Sequence, residues 1–239
     1  PDALMLGLIS MIPKEGGGMG PRDLCPITVM SVLYRLWSGA RVSQVLCWQE
    51  LWASKYLVGF RKHLGCEDAF WIVSLQVEEA LLLGKPLAGL GLDFEKAFDR
   101  IPQEHIFQLA LQAGLPPKLV QCLKGAYSQL ERCFRIGACV GSPFKSLNGI
   151  LQGCPMSIVL LNLLMHVWAE GVSAECPGVD PTCYADDAST TSQFANQQQP
   201  VLNFSRIFCL LTGMRRHMKK CISWSTDPNQ RAVLSTLNL

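Results

Sequence analysis

The chain has 239 residues, of which 49% are hydrophobic and 17% charged, which excludes a disordered protein and allows a sizeable core in one domain or two closely packed lobes. The formal net charge is only +2, but residues 1–65, 66–187 and 188–239 carry balances of +3, −6 and +5 (seven basic against four acidic, eight against fourteen, six against one). An acidic centre between basic ends suits a cation-dependent site flanked by phosphate-gripping surfaces.

The 11 cysteines are scattered, with no Cys-x-x-Cys pair and no histidine beside paired cysteines. No structural zinc site is expected, and most thiols read as small core residues of a reducing compartment. The uncharged apolar run Pro155 to Trp168 is too short to span a bilayer and no secretory signal is visible. The expectation is an intracellular protein, in cytoplasm or nucleus, with no membrane partner.

Along the chain, Leu6 to Pro13 reads as a strand, and Gly16-Gly17-Gly18-Met19-Gly20-Pro21 as a loop lacking the Lys-Ser/Thr ending of a P-loop. After Pro26, Val29, Leu33, Leu36 and Trp37 recur at helical spacing and predict an amphipathic helix to about Trp52. Val58-Gly59-Phe60-Arg61-Lys62 is a turn. Glu67 to Leu83 predicts a second helix, with Phe70, Val73, Val77 and Leu81 on one face, ended by Gly84-Lys85-Pro86. A strand at Leu87–Phe94 bears Asp93. Pro102 starts a helix that stops at Gly114, and Pro116-Pro117 opens another to about Leu130.

Arg132 to Val140 alternates as a strand, Gly141-Ser142-Pro143 turns the chain, and Phe144–Leu147 pairs back as a hairpin. A helix follows Pro155. Short strands at Thr182–Tyr184 and Ala188–Thr191 flank Asp186-Asp187. A helix from about Gln199 to Leu211 precedes the basic run Arg215–Lys220 and a last strand near Cys221–Ser225. Helices and strands are segregated rather than alternating as βαβ units, which predicts an α+β fold with a mainly antiparallel sheet.

Acids are scarce on apolar strands, and adjacent carboxylates repel strongly once water is excluded. Asp93 closes an apolar run, and Asp186 and Asp187 sit between two short strands. Taken alone, the pair fits a polar hairpin turn. With Asp93, the three form a candidate set of hard oxygen ligands for a divalent cation.

Three motifs occur in order: Leu92-Asp93-Phe94-Glu95-Lys96-Ala97-Phe98-Asp99, Gly149-Ile150-Leu151-Gln152-Gly153-Cys154-Pro155-Met156-Ser157 and Tyr184-Ala185-Asp186-Asp187. The series resembles the palm of reverse transcriptases, most closely those of non-LTR retrotransposons. The resemblance covers nearly the whole chain and implies a polymerase-like right hand, with residues 1–86 as fingers, 87–239 as palm, and the chain ending before a thumb.

It also implies an RNA-directed DNA polymerase using an RNA template, a DNA primer and dNTPs. Asp93, Asp186 and Asp187 would bind two Mg²⁺ ions, with Mn²⁺ as a possible substitute, and Asp187 is the less certain ligand. Phe98 would stand under the sugar of the incoming nucleotide and exclude a 2′-hydroxyl; a core phenylalanine is the lesser alternative. Phe94, Gln152 and Gly153 would contact the nucleotide. Lys220 would stand near the pyrophosphate leaving group, or belong to a solvated basic face. Arg61 would serve the triphosphate or template, or be a surface cation.

Two departures from the family pattern stand out: Cys25 in Cys25-Pro26-Ile27-Thr28, where an arginine is usual, and Arg216-His217-Met218, where an asparagine often precedes the lysine. They leave open a nucleic-acid-binding remnant without catalysis, or a maturase-like protein. A viral RNA-dependent RNA polymerase is disfavoured by Phe98 and by Tyr184-Ala185 before the aspartates. Oligomeric state is not legible.

Overall fold

A computed structural model describes residues 5–13, 18, 20 and 24–237. Most of the glycine-rich segment 16–21 lies outside the described residues. The chain forms two interleaved compact units, Pro1–Trp48 with Phe98–Leu160, and Gln49–Ala97 with Leu161–Leu239.

The first unit carries a four-stranded sheet in the order β2-β1-β4-β5, from β1 (Leu6–Pro13), β2 (Leu24–Val29), β4 (Glu131–Ile136) and β5 (Cys139–Val140). Strands β1 and β2 pair antiparallel from Leu8 opposite Val29 to Pro13 opposite Leu24, and β1 pairs parallel with β4. Helices α4 (Gln103–Gln112) and α5 (Pro117–Gln129) bury Ile106, Phe107, Val120 and Leu123. The Phe107 and Tyr127 rings meet edge to face at 5.4 Å, a favoured aromatic geometry. Buried Tyr127 keeps its hydroxyl satisfied by Ser157 Oγ at 3.0 Å and the Leu151 amide at 3.2 Å.

Two expectations are corrected in this unit. Helix α1 runs Val32–Trp52, because Val29 is taken by β2 opposite Leu8. Its buried side is Tyr34, Ser38, Val45 and Trp48, whereas Leu33 and Leu36 are exposed. The stripe started from a strand residue, so it marked the wrong face. The hairpin turns at Gly137 between β4 and β5, and Phe144 then pairs back through two hydrogen bonds with Arg132 of 2.8 and 2.9 Å.

The second unit is built on an antiparallel sheet in the order β6-β7-β3-β8, from β3 (Ala88–Asp93), β6 (Val179–Tyr184), β7 (Asp187–Ser192) and β8 (Ile222–Ser225). Helices α2 (Cys66–Leu83), α7 (Gln198–Thr212) and α8 (Pro228–Leu234) belong to it; α8, capped by the Asp227 carboxylate on the Asn229 amide, was missed in the sequence. On α2 the expected apolar face is corrected: Phe70 and Leu81 are exposed, and Ala80 is the buried residue. The core gathers Leu90, Leu92, Phe94, Trp168 and Phe208, each contributing about 1.5–3 kcal/mol by burial.

Helix α6 (Pro155–Glu175) runs past Trp168, so its length and composition would allow a membrane crossing, but 67% of its apolar window is buried inside the protein. It is a core helix. Of the cysteines, five are buried, four exposed and two intermediate, and all eleven are free thiols.

Candidate active site

The two-residue repeat of β3 sends Leu90 and Leu92 into the core and Asp93 to the opposite face. Asp93 stands directly opposite Asp187 in β7, so the two carboxylates emerge on the same side of the sheet. Tyr184 pairs with Asp187, which leaves Ala185 and Asp186 as a two-residue hairpin turn. Ala185 has φ +53°, the left-handed conformation that such turns require and that glycine adopts more readily. Asp93, Asp187, Lys220 and Tyr184 line an open pocket of about 390 Å³. Asp186 sits in the turn beside it.

Burial raises the Asp186 carboxyl above its ordinary value, and the charges of Asp187 and Asp93 push it further. Asp187 is raised likewise, by loss of hydration and then by Asp93. Lys220 acts against both shifts. Its Nζ donates to Asp93 Oδ2 at 3.0 Å, and that hydrogen bond and charge raise the ammonium's own pKa.

The 215–220 segment is fixed to Asp93 by its backbone as well. The His217 amide donates to the Asp93 carbonyl at 2.8 Å, and the Glu95 amide to the Arg215 carbonyl at 2.7 Å. A turn then closes from the Lys220 amide to the His217 carbonyl at 2.8 Å. The irregular Arg216-His217-Met218 stretch thus extends the pairing beyond β8.

Hard carboxylate oxygens that repel one another fit a hard divalent cation, which would relieve the repulsion that raises their pKa values. Among the described residues, however, no three His, Cys, Asp or Glu side chains are gathered as a metal-ligand set. In this structure Lys220 engages Asp93 instead.

Other sequence-predicted residues fall as follows. Phe94 is 2% exposed, its ring edge-on to Trp168 and Phe208 at 6.4 and 6.2 Å, so its side chain is core and not a nucleotide contact. Arg61 is already engaged: it holds Glu50 through Nε and Nη2, the latter at 2.7 Å, and the carbonyls of Ser54 and Leu57 through Nη1. That arrangement ties down the chain after α1, and the guanidinium hydrogen bond pulls the Glu50 carboxyl below its usual range. In this structure the Arg61 guanidinium is a structural clamp.

Phe98, Gln152 and Gly153 belong to the other unit. Phe98 is half-buried in α3 (Ala97–Arg100), and its carbonyl accepts from the Ile150 amide at 2.7 Å. Gln152 accepts a weak hydrogen bond from Cys25 Sγ at 3.7 Å, and its carbonyl accepts from the Thr28 amide at 3.0 Å. Gly153 has φ +108°, and a Cβ there would lie 2.6 Å from the Thr28 carbonyl oxygen. The close approach that glycine permits here is to β2.

Sequence reading missed the side chains that fix the Gly59–Phe60 carbonyls of the loop beside the aspartate hairpin. Asn162 donates to the Gly59 carbonyl at 2.8 Å and to Gln49 Oε1 at 3.0 Å, and Gln49 donates to the Phe60 carbonyl at 3.1 Å. Both are buried amides. A lone asparagine within Val159-Leu160-Leu161-Asn162-Leu163-Leu164 was the available signal.

The fold, with its acidic face on an antiparallel sheet and its packed helices, is consistent with a polymerase palm and fingers. Solved structures sharing it include telomerase from Candida tropicalis in complex with a TWJ fragment of telomeric RNA (TM-score 0.71, 13% identity, 95% of this chain, 42% of that one). Apo telomerase from Candida tropicalis is a second (TM-score 0.69, 14% identity, 95% and 45%). At such identities the likeness is one of fold.

The sequence profile of the family "Reverse transcriptase (RNA-dependent DNA polymerase)" matches residues 12–232, and the chain belongs to that family. It is 24% identical over 245 residues to the Retrovirus-related Pol polyprotein from type-2 retrotransposable element R2DM of Drosophila melanogaster, covering 98% of this chain. It is 28% identical over 162 residues, 66% of this chain, to the Transposon TX1 uncharacterized 149 kDa protein of Xenopus laevis. The chain spans 23% and 12% of the length of these two relatives.

Proposed function

We propose that this chain is the fingers and palm, residues 1–86 and 87–239, of an intracellular RNA-directed DNA polymerase from a non-LTR retrotransposon. It would join dNTPs to the 3′-hydroxyl of a DNA primer on an RNA template. The observation that carries this reading is the facing of Asp93 and Asp187 across β3 and β7, with Asp186 in the adjoining turn.

Asp93, Asp186 and Asp187 would hold two Mg²⁺ ions, or Mn²⁺. Bound there, divalent ions supply Lewis acidity toward the 3′-oxygen and the phosphates. The chain's own groups do the rest. The carboxylates set the charge that draws cations to the pocket. Lys220 stays protonated and offers its N–H groups as hydrogen-bond donors on the side of the departing pyrophosphate. Phe98 restricts the sugar to one without a 2′-hydroxyl, and Gln152 with Gly153 borders the nucleotide.

A second reading, a nucleic-acid-binding remnant, is favoured by the Lys220 ion pair on Asp93 and by Cys25 in place of arginine. Primer extension separates the two. DNA primer, RNA template, dNTPs and Mg²⁺ are supplied to this chain alone and to a longer polypeptide containing it. Extension that disappears in Asp186→Ala supports the polymerase. No extension by the longer form leaves the remnant, as does extension that Asp186→Ala leaves unchanged, which then does not come from these aspartates.

A further inference from the structure

Phe60 has a backbone φ of +55°, a conformation that a bulky side chain rarely adopts, and it is 44% exposed. Core packing alone does not account for both facts. Its surroundings hold it in place. The amides of Val58 and Gly59 donate to the Cys183 carbonyl, and Leu57 bridges to Cys183. Asn162 and Gln49 satisfy the carbonyls on either side of the Gly59–Phe60 bond. Gly59 lies so near the hairpin that a Cβ there would stand 2.5 Å from the Ala185 amide nitrogen.

The result is an aromatic pair. The Phe60 and Tyr184 rings stand 5.5 Å apart with planes inclined by 33°, and Tyr184 lines the pocket shared by Asp93 and Asp187. Among the described residues four non-glycines have positive φ: Phe60, His63, Lys96 and Ala185. Ala185 is in the aspartate turn and Lys96 follows Asp93 by three positions. Left-handed strain of this kind concentrates at functional sites, where surrounding structure over-determines it.

We infer that Phe60, backed by Tyr184, is a stacking surface for a nucleobase of the bound nucleic acid beside the carboxylates. A half-exposed ring on a rigid backbone stacks on any base through its π-face, without reading sequence. The inference rests on the polymerase reading and adds to it a residue that contributes affinity rather than metal or phosphate contact. The base comes from the primer or the template strand, and the test separates these.

A primer–template duplex carries 2-aminopurine either at the primer terminus or at the first unpaired template position. Affinity and fluorescence are measured with the full chain, without dNTPs. Stacking on the rings quenches one of the two positions. Phe60→Gly removes the ring and suits the left-handed backbone, so it is expected to melt no lower than wild type while binding about 5- to 100-fold more weakly. Phe60→Trp is expected to restore affinity and quenching.

Full affinity and quenching in a folded Phe60→Gly variant would overturn the inference while leaving the polymerase reading in place. Absence of duplex binding both by the wild-type chain and by the longer polypeptide containing it would overturn both.

Discussion

Lys220 Nζ lies 3.0 Å from Asp93 Oδ2, and the Asp93 carbonyl accepts the His217 amide at 2.8 Å, so one aspartate is held twice by one turn. The ammonium supplies the positive charge that two facing carboxylates and a third in the adjoining turn require. A cation entering the pocket must share Asp93 with Lys220 or displace it.

Lys220→Gln is therefore expected to bind Mn²⁺ more tightly, by up to about fivefold, since the ion pair is largely exposed and such pairs contribute about 0–1 kcal/mol. Titration followed by the electron paramagnetic resonance of free Mn²⁺ reads this directly. Weaker binding in the variant would mean that Lys220 orders the site rather than competing for it. Primer extension should fall in either case if the lysine serves the leaving group.

Asp186 gives a prediction for stability. Its carboxyl is raised by burial and by Asp187 and Asp93, so the folded state holds a proton more readily than the unfolded chain. A raised acid stabilises the fold below its unfolded pKa, and this contribution is lost as pH rises through the folded value. In EDTA, the wild type should thus gain stability as pH falls from neutrality toward the ordinary carboxylate range, with Asp187, raised likewise, contributing in the same window. Asp186→Asn should reduce that gain to the part Asp187 supplies and melt about 2–4 °C higher at pH 7–8, equivalent to about 1 kcal/mol in a chain of this size. A melting point unchanged or lower at pH 7–8 would remove the charge argument.

Element type was legible wherever composition decided it. The apolar β3, the buried α6 and helix ends at Gly84 and Gly213 follow from residues near in sequence. Strand β2 was not, because Val29 continues a helical spacing that only its partner Leu8 overrules. In the site, the three aspartates were legible as a set, but not their arrangement. Register across β3 and β7 places Asp187, rather than Asp186, opposite Asp93. Long-range polar partners such as Gln49 and Asn162, 113 positions apart, have no local signature.

Arg61 separates a structural role from a ligand role. Glu50 is partly exposed, so the clamp is discounted for solvent, and Arg61→Ala is expected to cost about 1–2 kcal/mol and several degrees of melting temperature. The lowered Glu50 carboxyl gives stability above its ordinary pKa that is lost as pH falls through the lowered value, and Glu50→Gln removes that dependence. Unchanged melting in Arg61→Ala with a raised KM for dNTPs would return Arg61 to the triphosphate.

Gly153 bears on how the middle motif is built. Substitution by alanine meets two obstacles, a φ of +108° and a Cβ placed 2.6 Å from the Thr28 carbonyl oxygen. The second is a backbone atom whose residue pairs with Ile9 in β1, and its amide donates to the Gln152 carbonyl. It cannot swing aside as a side chain would. Gly153→Ala should therefore lower the urea midpoint by an amount worth about 2–4 kcal/mol, with an unchanged slope. Trimming Ile27, whose Cγ2 stands 3.7 Å from the same position, should not rescue it. A Gly153→Ala variant of full stability that loses only nucleotide affinity would show that the glycine serves the ligand rather than β2.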